Sequence, residues 1–174
     1  MKTHCELILG GARSGKSSLA EQQALHSGLE LVYVATATAG DREMSARIRH
    51  HQQRRGGGWS VVEAPVQLAQ TLQQRQAVGR CIVVDCLTLW LSNCLQEDCW
   101  EQQKAALFDV LPTLSGQILL VSNETGLGVV PMGELSRRFV DEAGFLHQQL
   151  AALCQRVTLT VAGLPLVLKA PQGE

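Results

Sequence analysis

The chain has 174 residues, 15 of them Lys or Arg and 16 Asp or Glu, for a formal net charge of −1. That length suits a single domain spanning 1–174, and the near-zero balance leaves no long-range field to draw in nucleic acid or an anionic membrane. No signal-peptide pattern and no apolar run of about 18 to 20 residues occurs, so neither export nor stable membrane insertion is expected.

Cys5–Gly10 is an apolar run of strand length that passes into Gly10-Gly11-Ala12-Arg13-Ser14-Gly15-Lys16-Ser17. From Lys16 to Ser27 the spacing is helical, with Gly28 as the stop. Gly-x4-Gly-Lys-Ser between a strand and a helix is the context of a phosphate-binding loop. Its glycines let successive backbone N–H groups face the phosphates, Lys16 adds charge there, and Ser17 offers a hydroxyl to Mg²⁺. A plain glycine turn would not require Lys-Ser at that place. Gly10 through Ser17 are therefore the expected nucleotide-binding residues, with Lys16 also catalytic.

Leu29–Ala35 is the next strand candidate, and Asp41 to Arg55 the next helix. On that helix Arg47, His51 and Arg55 recur at i, i+4 with Arg54 beside them, a face suited to an anion. Cations push a histidine toward its neutral form, which frees a ring nitrogen to attack phosphorus. Spacing alone leaves this open against a solvated face with an incidental His50-His51 pair. Gly56-Gly57-Gly58 reads equally as a hinge or a helix stop.

Ser60–Ala64 is a strand candidate, Val66 to Val78 a helix ending at Gly79, and Cys81–Asp85 a strand closing on a carboxylate. Asp85 is placed either to join a magnesium shell or to cap a helix starting near Leu87. Leu87 to Leu114 is helical with a break near Glu97-Asp98. Gln117–Asn123, a helix from Leu135 to Cys154, and Arg156–Val161 complete the series. Nearly continuous Val, Ile and Leu in several strands fits a parallel sheet buried on both faces, and the alternation predicts an α/β sandwich.

Cys5, Cys81, Cys86, Cys94, Cys99 and Cys154 form no Cys-x-x-Cys pair. They read as free thiols in a reduced, cytoplasmic compartment. Trp59, Trp90 and Trp100 are expected in packing roles, and His4, His26 and His147 have no recognisable partner.

Taken in order, these segments resemble the bifunctional adenosylcobinamide kinase and adenosylcobinamide-phosphate guanylyltransferase family of cobalamin biosynthesis. The resemblance rests on Gly10 to Ser17, on Tyr33-Val34-Ala35-Thr36-Ala37, and on Asp41-x-Glu43-Met44-x-x-Arg47-Ile48-x-x-His51 with its His50 neighbour. Further on come Asp85-Cys86-Leu87-Thr88, Ser122-Asn123-Glu124-Thr125-Gly126-Leu127-Gly128-Val129-Val130-Pro131, and Phe139-x-Asp141-x-x-Gly144. It implies a P-loop NTPase-type three-layer sandwich with a mainly parallel sheet flanked by helices.

The implied activity phosphorylates adenosylcobinamide with ATP or GTP and then transfers GMP from GTP to adenosylcobinamide phosphate, giving adenosylcobinamide-GDP. His51 would carry the GMP, and the guanine-nucleotide contacts would be Gly10 through Ser17, Ala35, Thr36, Ala37, Gln52, Gln53, Arg54, Arg55, Glu63 and Asp85. Ser17 and Asp85 would serve Mg²⁺, and the assembly would be a homo-oligomer, a homotrimer. Ala37, Asp85 and His147 stand where the family commonly has serine, glutamate and asparagine. Because substrate attacks the γ-phosphate and His51 the α-phosphate, the 41–55 helix is expected to move between the two reactions about Gly40 and Gly56-Gly57-Gly58. Two other readings remain: a monofunctional P-loop small-molecule kinase, and a nucleotide-dependent regulatory binding protein, although the chain lacks the Asn-Lys-x-Asp motif of switch GTPases.

Overall fold

In the computed structural model, which describes residues 4–37 and 58–171, strands and helices alternate along the chain. They are β1 (His4–Gly10), α1 (Lys16–His26), β2 (Glu30–Ala35), β3 (Trp59–Glu63), α2 (Leu68–Arg75), β4 (Arg80–Asp85), α3 (Leu87–Gln96), α4 (Trp100–Val110), β5 (Gln117–Asn123), α5 (Glu134–Leu153), β6 (Arg156–Val161) and β7 (Leu164–Lys169). The seven strands form one sheet in the order β3-β2-β4-β5-β1-β6-β7. The first six are parallel, and β7 returns antiparallel to β6. Gly10, Ala35, Glu63, Asp85, Asn123 and Val161 therefore all end at the same edge of the sheet. Ligands of open parallel sheets bind at that edge.

Alternate residues of the central strands serve opposite faces, as the two-residue period of a strand requires. Leu7, Leu9, Ile82, Val84, Ile118 and Leu120 join the larger core with Leu68, Leu91, Leu107 and Leu146 from α2 to α5. Ile8, Val83, Leu119 and Val121 join the smaller one with Ala20 and Ala24 of α1. The absence of side-chain bulk at Ala20 and Ala24, both fully buried, lets α1 lie close on the strands. The sheet is thus flanked by helices on both faces, the α/β architecture expected from the sequence.

The expected break near Glu97-Asp98 is present. Asp98 takes a left-handed conformation (φ 51°), which ends one helix and restarts another. The restart lays Trp100 edge-on against Trp90, ring centres 5.2 Å apart, and directs the Trp100 indole N–H to Glu142 at 2.7 Å. Both indoles are packing residues.

Strand β7 was not anticipated. Ala162 and Gly163 both have positive φ (52° and 78°), the two-residue turn whose twist matches a β-hairpin. Pro165 argues against a central strand and is acceptable at an edge, and β7 is the last strand of the sheet. The predicted helix 41–55 and its glycine hinges through Gly57 lie outside the described residues. No helix among the described residues is long and apolar enough to cross a membrane.

Candidate nucleotide site

Gly10 is the last residue of β1 and the first of the loop. A Cβ there would strike the Ser14 side chain and come within 2.7 Å of the Thr160 carbonyl oxygen, so the loop can turn only on glycine. Gly15 has φ 96°, a conformation that L side chains rarely adopt, and a Cβ on it would stand 3.2 Å from Gly163 Cα. The Gly163 N–H donates to the Ser14 carbonyl at 2.8 Å. The β6–β7 turn is therefore a support against which the loop is folded. Gly11, Ala12 and Arg13 are exposed while Ser14 is buried. The Ser14 and Thr160 hydroxyl oxygens are buried with no hydrogen-bond partner among the described residues.

Lys16 opens α1, and its ammonium donates to the Gly11 carbonyl at 3.0 Å, bending the side chain back over the loop. Only 8% of it is exposed. Burial lowers its pKa from the ordinary 10.5, and the negative charge of Asp85 opposes the shift. Lys16 and Asp85 thus act on one another across the end of the sheet. Ser17, the next residue of α1, is half-buried.

Asp85 ends β4, and the Tyr33 hydroxyl donates to its Oδ2 at 2.8 Å. The N-cap of α3 is Cys86, with no side-chain cap bond, so Asp85 does not take the capping role. Thr36 is drawn into the fold instead of the open site. Its hydroxyl donates to the Cys86 carbonyl at 2.7 Å and accepts from the Cys86 N–H at 2.8 Å. Its own N–H reaches the Asp85 carbonyl at 3.2 Å, and its carbonyl accepts from the Asn93 amide at 2.9 Å. Ala35, Thr36 and Ala37 are all buried. Thr36 therefore fixes the backbone at Asp85-Cys86.

On the other side of β4, Asn123 at the end of β5 donates from its amide to the Thr88 hydroxyl at 2.8 Å. The preceding Ser122 shares a 2.7 Å hydrogen bond with His147 Nε2 of α5. Burial lowers the pKa of His147, and Glu124 partly opposes this. The Glu124 N–H in turn donates to the Gly10 carbonyl at 2.9 Å. The strand between the phosphate loop and Asp85 is thus tied to both.

Glu63 is exposed at the end of β3, four strand spacings or about 19 Å from β1. Lys16 and Asp85 are brought together, and Glu63 is not. His51, Gln52, Gln53, Arg54 and Arg55 lie outside the described residues. Sequence reasoning missed the supporting roles of Tyr33, Thr88, Asn93, Asn123, His147, Thr160 and Gly163. Their partners are mostly distant in sequence, and the one available signal was the clustering of polar residues at strand ends.

The family described as cobinamide kinase / cobinamide phosphate guanyltransferase matches residues 6–168. The bifunctional adenosylcobalamin biosynthesis protein CobP of Pseudomonas aeruginosa is 59% identical, covering 94% of this chain and 96% of that protein. The corresponding protein CobU of Escherichia coli is 34% identical, covering 94% and 98%. In fold, the chain is similar to the flagellar accessory protein FlaH of Methanocaldococcus jannaschii, with TM-score 0.55 and 13% identity over 97% of this chain and 79% of that one. At that identity the likeness concerns the fold alone. The extent of the family match and the identity to two nearly full-length relatives mean that the chain belongs to the cobinamide kinase / cobinamide phosphate guanyltransferase family.

Proposed function

We propose that the protein is one domain, residues 1–174, that phosphorylates adenosylcobinamide and then guanylylates the product. The observation that carries the proposal is the family match over residues 6–168, joined to a phosphate loop with Lys16 folded over it. In the first reaction the hydroxyl oxygen of the aminopropanol arm attacks the γ-phosphorus of ATP or GTP. The bond from that phosphorus to the β,γ-bridging oxygen breaks, the nucleoside diphosphate leaves, and the hydroxyl proton passes to solvent. The N–H groups of Gly11 through Ser17 and the Lys16 ammonium would hold the phosphates, where preorganised charge matters most.

In the second reaction a ring nitrogen of His51 attacks the α-phosphorus of GTP and pyrophosphate leaves. A phosphate oxygen of adenosylcobinamide phosphate then attacks the same phosphorus, the P–N bond breaks, and the imidazole is restored. Gln52, Gln53, Arg54, Arg55 and Glu63 are assigned to the nucleotide. Ala35, Thr36 and Ala37 are assigned to it as well, Thr36 also holding the backbone at Asp85-Cys86.

A hydroxyl from Ser17 and a carboxylate from Asp85 are the hard oxygen donors that Mg²⁺ prefers. The interaction of Asp85 with Lys16 favours placing both donors at the phosphates, and the donor set fits the ion. When bound, Mg²⁺ would neutralise charge on the phosphate oxygens. Six free cysteines suit a cytoplasmic setting. Self-association is supported by the exposed apolar edge of β7, where Leu164, Leu166 and Leu168 face outward, and the homotrimer is the assembly that the resemblance implies.

The test is to incubate the purified chain with GTP, Mg²⁺ and adenosylcobinamide and to follow the corrinoid by mass. Successive appearance of the phosphate and the GDP adduct is expected. Accumulation of the phosphate alone would favour the monofunctional kinase, and an unmodified corrinoid would refute the proposal.

A further inference from the structure

Tyr33 is the chain's single tyrosine, and none of the chemical steps above uses it. It is buried in β2 within the core that holds Ala20 and Ala24 of α1, its ring edge-on to Trp59 with centres 6.1 Å apart. The ring alone accounts for that packing. The hydroxyl does something separate: it donates to Asp85 Oδ2 at 2.8 Å. Tyr33 pairs with Val83 in the parallel ladder, so it stands on the same face as Asp85 and two residues, roughly 7 Å, behind it on the neighbouring strand. The phenol spans that diagonal and reaches the binding edge from inside the core.

A carboxylate has two oxygens, and this bond decides which is left over. With Oδ2 taken, no hydrogen bond engages Oδ1 among the described residues. The backbone of Asp85 is held separately, by the Thr36 N–H on its carbonyl at 3.2 Å, so the Tyr33 hydroxyl acts on the side-chain torsion. The face of the sheet shared by Tyr33 and Asp85 is the one that α1 covers, and α1 opens with Lys16 and Ser17. A donor on the second oxygen orients a metal-binding carboxylate, and removing it costs about 10- to 100-fold in metal affinity. A buried phenol also needs an acceptor on its own account, a role that predicts no effect on a bound cation.

We propose that Tyr33 is a positioning residue for the divalent cation of the nucleotide complex, its hydroxyl holding Oδ2 of Asp85 so that Oδ1 is presented to the metal together with the Ser17 hydroxyl. Tyr33 acts through Asp85 alone. The proposal rests on the magnesium role given to Asp85 above and adds what sets the strength of that site.

Tyr33→Phe keeps the ring against Trp59 and removes the donor. Mn²⁺ is the probe, because it takes the same oxygen ligands as Mg²⁺ and its free form is read by electron paramagnetic resonance. Wild type, Tyr33→Phe, Asp85→Asn and the double variant are each titrated with Mn²⁺ while holding a non-hydrolysable GTP analogue, with protein in excess. The Mn²⁺ Kd is expected to rise about tenfold or more in Tyr33→Phe and in Asp85→Asn, with no further rise in the double variant. Binding of the analogue to Tyr33→Phe in EDTA should match wild type. An unchanged Mn²⁺ Kd in Tyr33→Phe beside a raised one in Asp85→Asn overturns the proposal and leaves the functional reading standing. So do additive losses, and so does an equal loss of analogue binding in EDTA, which assigns the hydroxyl to the fold. An unchanged Kd in Asp85→Asn removes Asp85 from the metal and refutes both. A measurement on the intact site covers a Tyr33→Phe chain that does not fold. Protein made with 3-fluorotyrosine has one ¹⁹F resonance, which Mg²⁺ added to the analogue complex is expected to shift in the otherwise wild-type chain and not in Asp85→Asn; a resonance indifferent to Mg²⁺ overturns the proposal.

Discussion

Lys16 is held by geometry before any ligand arrives, its ammonium on the Gly11 carbonyl and its stem buried. Such preorganisation spares the enzyme reorganisation as charge develops on the transferred group. Lys16→Ala is expected to lower kcat at least about 100-fold in both reactions. Steady-state rates at saturating nucleotide check this, and a loss confined to KM would indicate a binding role only. His147 makes a different demand. Burial holds its pKa below the usual 6.5, so as pH falls past about 6.5 the unfolded chain takes up a proton that the folded one resists. The stability this group contributes is full above that pH and is lost as pH drops toward the folded value. His147→Asn should therefore flatten the decline in unfolding free energy between pH 7.5 and 5.5, measured by denaturant titration. An undiminished slope would place the titration elsewhere.

Among the elements, the sequence disclosed what local pattern encodes and concealed what distant pairing decides. The loop Gly10 to Ser17 was legible because strand, glycines, Lys-Ser and helix are contiguous. The helix break at Asp98 was legible from the polar interruption of an apolar period. Strand β7 was not, because Pro165 weakens its pattern and its pairing depends on the turn at Ala162-Gly163. The resemblance assigns Thr36 to the nucleotide, and local pattern gives no sign of its structural partner. Only the structure reveals that Cys86, 50 residues on, takes both hydrogen bonds of its hydroxyl. Thr36→Val leaves the Cys86 N–H unpaired, while the Cys86 carbonyl keeps the Trp90 N–H at 3.2 Å, and should cost about 1 to 3 kcal/mol while loosening Asp85. Chemical unfolding and kinase assays test the two effects, and a loss below about 0.5 kcal/mol would mean that another group satisfies Cys86.

For the whole molecule, the parallel strands place the phosphate loop and Asp85 at one edge, and the antiparallel β7 leaves an exposed border of Leu164, Leu166 and Leu168. An edge strand of this composition invites pairing or burial. Sedimentation of the wild type is expected to give a trimer, and Leu164→Glu with Leu166→Glu a monomer that still binds nucleotide. A wild-type monomer would contradict the assembly proposed. One chain using two positions on the nucleotide, the γ-phosphorus for its kinase reaction and the α-phosphorus through His51, is the core of the proposed function. It is tested most directly by incubating wild type, His50→Ala and His51→Ala with α-labelled GTP and Mg²⁺, then treating each with acid and alkali. Label that is stable to alkali, labile to acid, present in wild type and His50→Ala and absent from His51→Ala is the expected result. Label retained in His51→Ala and lost from His50→Ala, or no label on any of the three, would contradict it.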